Sequence, residues 1–224
     1  MHIHMTEDLA LVVGASGRTG QRVVQALRRH GFPVRAMVRD ESRRSLVAAD
    51  GVEVVVGDVT REEDIRRALD GARYVVSALG SKGTADAAHI ELIEFTTIAE
   101  LAQLAQEMGV RHFVLCSSMG VEIPDMIPPL AEILRQKRRG ELALEGSGVP
   151  FTIVRPGGLT DAPGGSGVAI ARTLPGFGMI SRDDVAEVMV QALLQPEARN
   201  KIVEIVNAPD AGPADRPGLF AGVD

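Results

Sequence analysis

The sequence of 224 residues contains a single cysteine, Cys116, and this scarcity excludes two kinds of stabilising site. No disulfide can form within the chain, which is typical of proteins kept in a reducing compartment. Of the five histidines, His2 and His4 lie at the terminus, which we expect to be frayed, and His30, His89 and His112 are scattered. Zinc sites usually need more cysteine and histidine than this. We therefore expect a cytoplasmic protein without a bound metal.

Aromatic residues and excess positive charge are also lacking. With no tryptophan, one tyrosine and a formal net charge of -6, the chain offers little stacking or basic surface to nucleic acids. Its apolar runs are far shorter than the ~20 residues that span a bilayer. Residues 1–8 lack the basic start and apolar core of a signal peptide. We therefore expect neither nucleic acid nor membrane as a partner.

The chain is instead rich in apolar residues that follow a regular pattern. Hydrophobic residues make up 45% of the sequence, which is enough for one sizeable core. Valine-rich bursts alternate with amphipathic stretches, which predicts right-handed crossovers in a parallel sheet. The predicted class is α/β: a single Rossmann-type, doubly wound domain with a mainly parallel seven-stranded sheet. Strands are predicted at 9–13, 34–38, 53–57, 74–78, 112–117, 151–155 and 202–206, and helices at 17–30, 42–49, 62–69, 87–108, 128–145 and 182–194.

The predicted nucleotide-binding domain covers residues 1–206. It includes a Gly/Pro-rich stretch without clear periodicity, which we interpret as a small substrate or lid region at 157–181. The Pro/Gly-rich tail at 207–224 is expected to pack loosely or to be disordered.

The sequence LALVVGASGRTG at 9–20 joins the first predicted strand to the first helix. Its glycines allow a tight turn and a close backbone approach to a ligand, and the following helix directs free N–H groups at an anion. The spacing is G-x-x-G-x-x-G, so an ordinary strand-to-helix turn is the alternative to a pyrophosphate site. The predicted cofactor contacts in this turn are Gly14, Ser16, Gly17, Arg18, Thr19 and Gly20.

Ligands of doubly wound sheets bind beyond the carboxyl ends of the strands, so the residues there are informative. Arg39 follows the second strand, where an arginine suits the 2′-phosphate of NADP, and Arg18 could clamp the same phosphate. The alternative is that both are surface arginines, and Asp40, one position later, is a mild indication against NADP. After the third strand come Asp58 and Val59; Asp58 could accept from the adenine amino group, cap the next helix, or do both.

Small residues follow the fourth strand, and hydroxyls follow the fifth. Ala78, Leu79 and Gly80 expose backbone along the expected route of the pyrophosphate and the nicotinamide ribose. Ser117 and Ser118 lie where a nicotinamide carboxamide or a substrate carbonyl would be, although paired serines after a strand also form ordinary turns.

Together these motifs resemble the short-chain dehydrogenase/reductase superfamily, in particular its atypical NAD(P)-binding branch with the NmrA-like proteins and the biliverdin reductase B/flavin reductase type. The segments that show this resemblance are GASGRTG at 14–20, VRAMVRD at 34–40, VVGDVT at 55–60, RHFVLCSSMG at 111–120, SGVPFTIVRPGGLTD at 147–161 and ISRDDVAEVMVQAL at 180–193. The resemblance implies that Pro156, Gly157 and Gly158 flank the nicotinamide end of the cofactor.

The chain departs from the superfamily's main branch at its catalytic tyrosine. That branch uses a serine and a Y-x-x-x-K pair, whose lysine also holds the ribose. Aligning Lys137 with this lysine puts Ile133 at the tyrosine position, and Ser118 best matches the serine. The resemblance thus implies Ser118 and Lys137 as catalytic residues without the usual acid. The sole tyrosine, Tyr74, is expected in the core or on the surface.

The first functional hypothesis is a reductase that uses NADP(H), with NAD(H) as the weaker alternative. Its acceptors would be flavins, quinones or conjugated tetrapyrrole-like molecules, for which water can supply the proton. The second hypothesis is a non-catalytic NADP(H) sensor that binds a protein partner, as NmrA-like regulators do. A sugar-nucleotide epimerase is the third, but it would need a tyrosine base and a larger substrate domain. Oligomeric state is left open.

Overall fold

The computed structural model describes residues 8–81 and 85–223. Residues 1–7, most of the stretch considered for a signal peptide, lie outside the described residues, as does the last residue of the expected tail. The strands are β1 Ala10–Val13, β2 Val34–Val38, β3 Val52–Val56, β4 Tyr74–Ser77, β5 His112–Cys116, β6 Phe151–Pro156, β7 Gly158–Thr160, β8 Val168–Ala171, β9 Met179–Ser181 and β10 Lys201–Asn207.

The predicted α/β architecture is confirmed. The main sheet has the order β3-β2-β1-β4-β5-β6-β10-β8, and every neighbouring pair is parallel except β10 with β8. The order reverses between β1 and β4, so a crevice opens there beyond their carboxyl ends. This edge of the sheet is called the carboxyl edge below, and the opposite one the amino edge.

Helices cover both faces of the sheet. They are α1 Arg18–Arg29, α2 Glu62–Leu69, α3 Ala87–Glu91, α4 Thr97–Glu107, α5 Ala131–Gly146 and α6 Arg182–Leu194. Helices α1 and α6 bury Val23, Leu27, Val185 and Met189 on one face, and α2, α4 and α5 bury Ile65, Leu101 and Leu144 on the other. The loops at the carboxyl edge therefore extend from a sheet that is packed on both faces.

The sheet has eight strands, not the predicted seven. The additional strand β8 lies within the stretch 157–180, which shows no clear period in the sequence. The same stretch contributes β7 and β9, which form a separate two-stranded parallel sheet. A Cβ on Gly157 would overlap the carbonyl oxygen of Gly178, so the two segments approach at backbone distance. The lid region is therefore more regular than expected, because glycine replaces the apolar alternation that marks longer strands.

Three predicted helices differ from the observed ones. The stretch predicted as a helix at 42–49 contains only a 3₁₀ turn, Glu41–Leu46. The helix predicted at 128–145 begins at Ala131, after a 3₁₀ turn at Pro128–Leu130, because proline lacks the N–H that a continuous helix needs. The helix predicted at 87–108 is interrupted by a π-turn, Leu92–Thr96.

The expectation that the tail packs loosely is wrong for residues 208–223. Leu219, Phe220 and Val223 are buried in the core beside α1 and α6. The backbone N–H of Val168 in β8 donates to Gly212 O at 2.9 Å, so this segment also covers part of the sheet's last strand. Glycines and prolines set the turns here, while three apolar side chains supply the anchoring.

Candidate cofactor and acceptor site

The glycine turn after β1 lies at the point where the strand order reverses. Gly14 has a φ of +75°, and a Cβ there would lie 2.8 Å from the carbonyl carbon of Ala78. A Cβ on Gly20 would overlap the carbonyl oxygen of Gly14, and the Gly17 N–H donates to that oxygen at 3.0 Å. The turn is therefore a backbone cradle in which positions 14 and 20 have no space for a side chain, and it lies directly against the segment after β4.

Helix α1 begins directly behind this cradle. Its N-cap, Gly17, has no side chain to accept from the first N–H groups. In contrast, the first turn of α6 is capped by Ser181, whose hydroxyl accepts from the Asp184 N–H. The free N–H groups of α1 and the positive end of its dipole fit the pyrophosphate of a dinucleotide.

The segments after β2 and β3 form the far side of the crevice. Arg39 is exposed, and its guanidinium forms no ion pair within the described part of the chain; Asp40 pairs with Arg43 at 3.2 Å. Asp58 does not cap α2, whose N-cap is Arg61. Its carboxylate accepts from the N–H and hydroxyl of Thr60, so it stabilises the turn before the helix and the expected capping role is wrong.

Arg18 lies in the glycine turn, but it reaches toward the lid region. Its guanidinium pairs with Asp161 at 2.6 Å, and Arg22 and Arg182 bind the same carboxylate. Together the three arginines lower the pKa of Asp161, although partial desolvation opposes them. This cluster joins the start of α1 to the segment after β7. In this arrangement Arg18 is not free for a phosphate, so its clamping role stays a prediction.

Two serines follow β5 with different environments. Ser117 is buried, and its Oγ has no hydrogen-bond partner among the described residues. Within the same residues, Ser77 Oγ at the end of β4 is also unpartnered, as are Thr97 Oγ1 and Gln195 Oε1. Ser118 is half-buried, and its hydroxyl donates to Met119 O at 3.0 Å. A buried hydroxyl without a partner is costly, so Ser117 fits a site completed by a polar ligand.

Lys137 on α5 is held by a residue that sequence reasoning missed. Its ammonium lies 2.9 Å from the carboxylate of Glu94, whose side chain is 3% exposed. Burial alone would lower the pKa of Lys137, but the Glu94 charge outweighs it and the pKa is raised, so the ammonium stays charged. A signal was present in the sequence: Glu94 lies four residues after Ile90 and four before Ile98, on the apolar stripe of its helix.

Beneath the Pro156 loop lies a second buried ion pair. Arg155 in β6 donates to both oxygens of Glu141 on α5, at 2.9 and 2.6 Å, and to Glu122 at 2.7 Å. Such bidentate pairing fixes the strand against the helix and the loop after β5. The segment Pro156, Gly157 and Gly158 therefore follows directly after a residue, Arg155, that is held by three hydrogen bonds.

The positions of Cys116 and Tyr74 agree with the sequence reading. Cys116 ends β5 in the core, where burial raises the pKa of its thiol. Tyr74 begins β4 at the amino edge and packs edge-on against Phe32, with ring centroids 5.8 Å apart. Desolvation and Asp8 raise the pKa of Tyr74. The sole tyrosine is therefore at the opposite end of the strands from Lys137.

Exposed apolar side chains border the segments after β5 and β6. A Cβ on Gly120 would lie 3.5 Å from the ring of Phe177, and one on Gly158 would lie 2.5 Å from Met179 Sδ. Phe177, Met179 and Met126 are 59%, 57% and 75% exposed. We call these three residues the apolar rim. Gly120 lies two residues after Ser118, so Phe177 reaches the segment that carries the serines.

Known proteins are similar over nearly the whole chain. A family profile described as NAD(P)H-binding matches residues 14–196. An uncharacterised chloroplast protein of Arabidopsis thaliana is 35% identical over 95% of this chain and 81% of its own, and sanguinarine reductase of Eschscholzia californica is 30% identical over 89% of each. A solved structure from Bacillus halodurans, provisionally assigned as an NAD-dependent epimerase/dehydratase, is 29% identical with a TM-score of 0.84, covering 93% of this chain and 97% of its own.

Location and family are supported to different degrees. In residues 8–81 and 85–223 no helix has the length and apolar character to cross a bilayer. Because relatives include a chloroplast protein, the cytoplasmic location stays a prediction. The family profile covers well over half of the chain and the fold agrees with the resemblance, so this protein belongs to the NAD(P)H-binding family of Rossmann-fold proteins.

Proposed function

We propose that the protein is an NADPH-dependent reductase whose acceptor is a flavin, a quinone or a similar conjugated molecule. Bound NADPH would supply a hydride. The observation that carries the proposal is the pairing, at one edge of the sheet, of a backbone cradle at Gly14 and Gly20 with the apolar rim. The residues proposed to hold the cofactor are Gly14, Ser16, Gly17, Arg18, Thr19, Gly20, Arg39, Asp58, Val59, Ala78, Leu79, Gly80, Ser117, Lys137, Pro156, Gly157 and Gly158.

The preference for NADPH over NADH rests on Arg39. It is exposed beyond β2 and forms no ion pair in the described ranges, although its charge is felt by Asp40. A guanidinium binds a phosphate through two parallel hydrogen bonds. Asp40 would favour NAD through the ribose hydroxyls, but Arg43 and Ser42 already occupy its carboxylate. The balance of charge at this position supports NADP.

The acceptor class follows from the groups that flank Lys137. Ile133, one turn earlier on α5, is half-buried and has no proton to donate. An acceptor that spreads charge over a conjugated system does not need a positioned acid, whereas a simple ketone does. The apolar rim suits a flat aromatic ring, and Ser118 would orient it. The similarity to sanguinarine reductase agrees with a reductase.

The second candidate, a non-catalytic NADP(H) sensor, is favoured by a different observation. The hydroxyl of Ser118 is engaged by Met119 O, and the ammonium of Lys137 is engaged by Glu94. With the Ser118 hydroxyl and the Lys137 ammonium both engaged within the protein, the site would bind NADP(H) without catalysing a reaction. A protein partner would then recognise the loaded form.

A panel of acceptors separates these candidates. We expect NADPH oxidation with at least one flavin or quinone, and rates about 10²- to 10⁴-fold lower with small ketones and aldehydes, which need general acid catalysis. Ser118→Ala should lower turnover more than it weakens NADPH binding. Efficient ketone reduction would reveal an acid other than a tyrosine beside Lys137. Tight NADPH binding without turnover of any acceptor would favour the sensor.

A further inference from the structure

The helix after β4 changes register in its middle. Between α3 and α4 the backbone forms a π-turn at Leu92–Thr96, and Glu94 is its central residue. A π-turn inserts one residue, which rotates the following side chains by about 100° relative to a continuous helix. Such turns are rare and are often found at functional sites. Glu94 is buried in this turn, so its carboxylate points away from solvent.

The Glu94 carboxylate joins two segments of the proposed cofactor site. One oxygen lies 2.9 Å from the Lys137 ammonium on α5. The other accepts from both the N–H and the hydroxyl of Ser81, each at 2.6 Å. Ser81 directly follows Ala78, Leu79 and Gly80, the expected route of the nicotinamide ribose. One buried group therefore sets the distance between that route and Lys137.

The backbone around Glu94 is shaped for this contact. Gly140 lies on α5 almost one turn after Lys137, and a Cβ there would overlap the carbonyl oxygen of Glu94. Only glycine allows the helix and the π-turn to approach so closely. The ion pair is thus formed by two rigid elements in contact, not by two mobile side chains meeting at a surface.

A neighbouring ion pair to the same helix, α5, differs from the Glu94–Lys137 pair in its exposure. Glu91 on α3 pairs with Arg139 on α5 at 2.7 Å, but these side chains are 47% and 45% exposed. Exposed pairs contribute little and are screened by solvent. Glu94 and Lys137 are 3% and 15% exposed, so removing either charge leaves the other buried without a counter-charge.

We propose that Glu94 is a positioning residue of the cofactor site: it holds the Lys137 ammonium and the Ser81 backbone in the arrangement that receives the nicotinamide ribose. The inference rests on the proposed function, because it needs NADPH in this crevice. A lysine ammonium sits on a flexible four-carbon stem, so free rotation would cost affinity when the ribose binds. Glu94 removes that freedom before the cofactor arrives.

The test compares Glu94→Gln, Lys137→Met and the double variant with Glu91→Gln as the matched control. NADPH affinity is measured by calorimetric titration, and stability by urea unfolding. Glu94→Gln should weaken NADPH binding by about tenfold, since hydrogen bonds of charged groups are involved, and Glu91→Gln should leave it unchanged. The double variant should regain stability, because no buried charge is left unpaired, yet it should keep the weakened NADPH binding.

Each outcome decides a separate question. If Glu94→Gln folds and binds NADPH as tightly as the parent protein, Glu94 has only a structural role and the proposal is wrong. If Glu94→Gln does not fold, the double variant is compared with Lys137→Met: the double variant should bind NADPH more weakly, because Ser81 has also lost its acceptor, and equal affinities would refute the proposal. If the parent protein itself does not bind NADPH, the proposed function fails before the role of Glu94 is reached.

Discussion

Buried hydroxyls at the two edges of the main sheet differ in their hydrogen bonding. At the amino edge, His112 is 2% exposed and its Nε2 lies 2.8 Å from the hydroxyl of Thr152. That hydroxyl donates its own proton to Ala198 O at 2.6 Å, so His112 must be the donor to it. This buried chain of polar groups is complete.

At the carboxyl edge, buried hydroxyls end their strands without partners. Ser77 Oγ closes β4 and Ser117 Oγ follows β5, and neither has a hydrogen bond in the described structure. Since β4 and β5 are neighbouring strands, both serines lie at the same edge of the sheet. The Gly14 turn, which contacts the segment after β4, lies at that edge as well. The His112–Thr152 chain is satisfied within the protein, although Gln195 Oε1 at the end of α6 is unpartnered in the described structure. Ser77 and Ser117 instead keep hydroxyls without partners, which is costly unless a polar ligand pairs with them.

The largest expected effect concerns the amino edge and pH. Burial lowers the pKa of His112 from 6.5 to about 4. Between pH 4 and pH 6.5 the unfolded chain is protonated at this histidine, whereas the folded chain is not. The free energy of unfolding therefore falls as pH drops from 6.5 to 4, by about 3 kcal/mol from this residue, and is intact above 6.5. Chemical unfolding across this range measures it. His112→Gln should remove this component, and His89→Gln, at an exposed histidine, should not; an unchanged pH slope in His112→Gln would contradict the prediction.

The next effect concerns the charge beyond β2. NADPH should bind roughly 10- to 100-fold more tightly than NADH, since hydrogen bonds to charged groups are worth about 1.5–3 kcal/mol each. Arg39→Ala should remove most of this preference and leave NADH affinity nearly unchanged. Arg73→Ala, at an exposed arginine before β4 on the amino edge, is the control and should change neither affinity. Equal affinities for the two cofactors in calorimetric titration of the parent protein would refute the assignment of Arg39.

Two substitutions with smaller expected effects compare the two edges of the sheet directly. Ser117→Ala removes a hydroxyl that has no partner, so it should leave stability unchanged but weaken NADPH binding by about 3- to 10-fold. Thr152→Val removes a hydroxyl bonded on both sides, so it should destabilise the fold by about 1–3 kcal/mol without changing NADPH affinity. Chemical denaturation measures the stability of each variant, and calorimetric titration measures its NADPH affinity. A large stability loss in Ser117→Ala would mean that its hydroxyl already has a structural partner.

The smallest expected effect is a local change in exchange rate. Bound NADP(H) should slow hydrogen exchange in the glycine turn and in the lid region at 157–180, because the Arg18–Asp161 contact links the two. Mass spectrometry with and without cofactor measures both segments, and β10 in the sheet is an internal reference. Protection of the turn alone would show that the lid region does not respond to the cofactor.

The regular part of the fold could be predicted because its pattern is local. The seven predicted strands all exist within one or two residues, since buried parallel strands such as Ala10–Val13 are apolar on both faces. The stretch 157–180 could not be predicted, because β7 and β9 are short and their pairing depends on the Gly157–Gly178 contact. The π-turn at Leu92–Thr96 could not be predicted from the sequence either, because it depends on how α5 packs against this segment.

By itself, the sequence determined the α/β class, the glycine turn at 14–20 and the absence of a tyrosine beside Lys137, because each depends on residue types at fixed spacing along the chain. Only the tertiary structure decided that Glu94 meets Lys137, that Arg18 pairs with Asp161 and that Ser117 lacks a partner. Those partners are 43 and 143 residues apart, and folding alone brings them together. The strength of a charge or a hydrogen bond depends on the burial and geometry found there, not on sequence spacing.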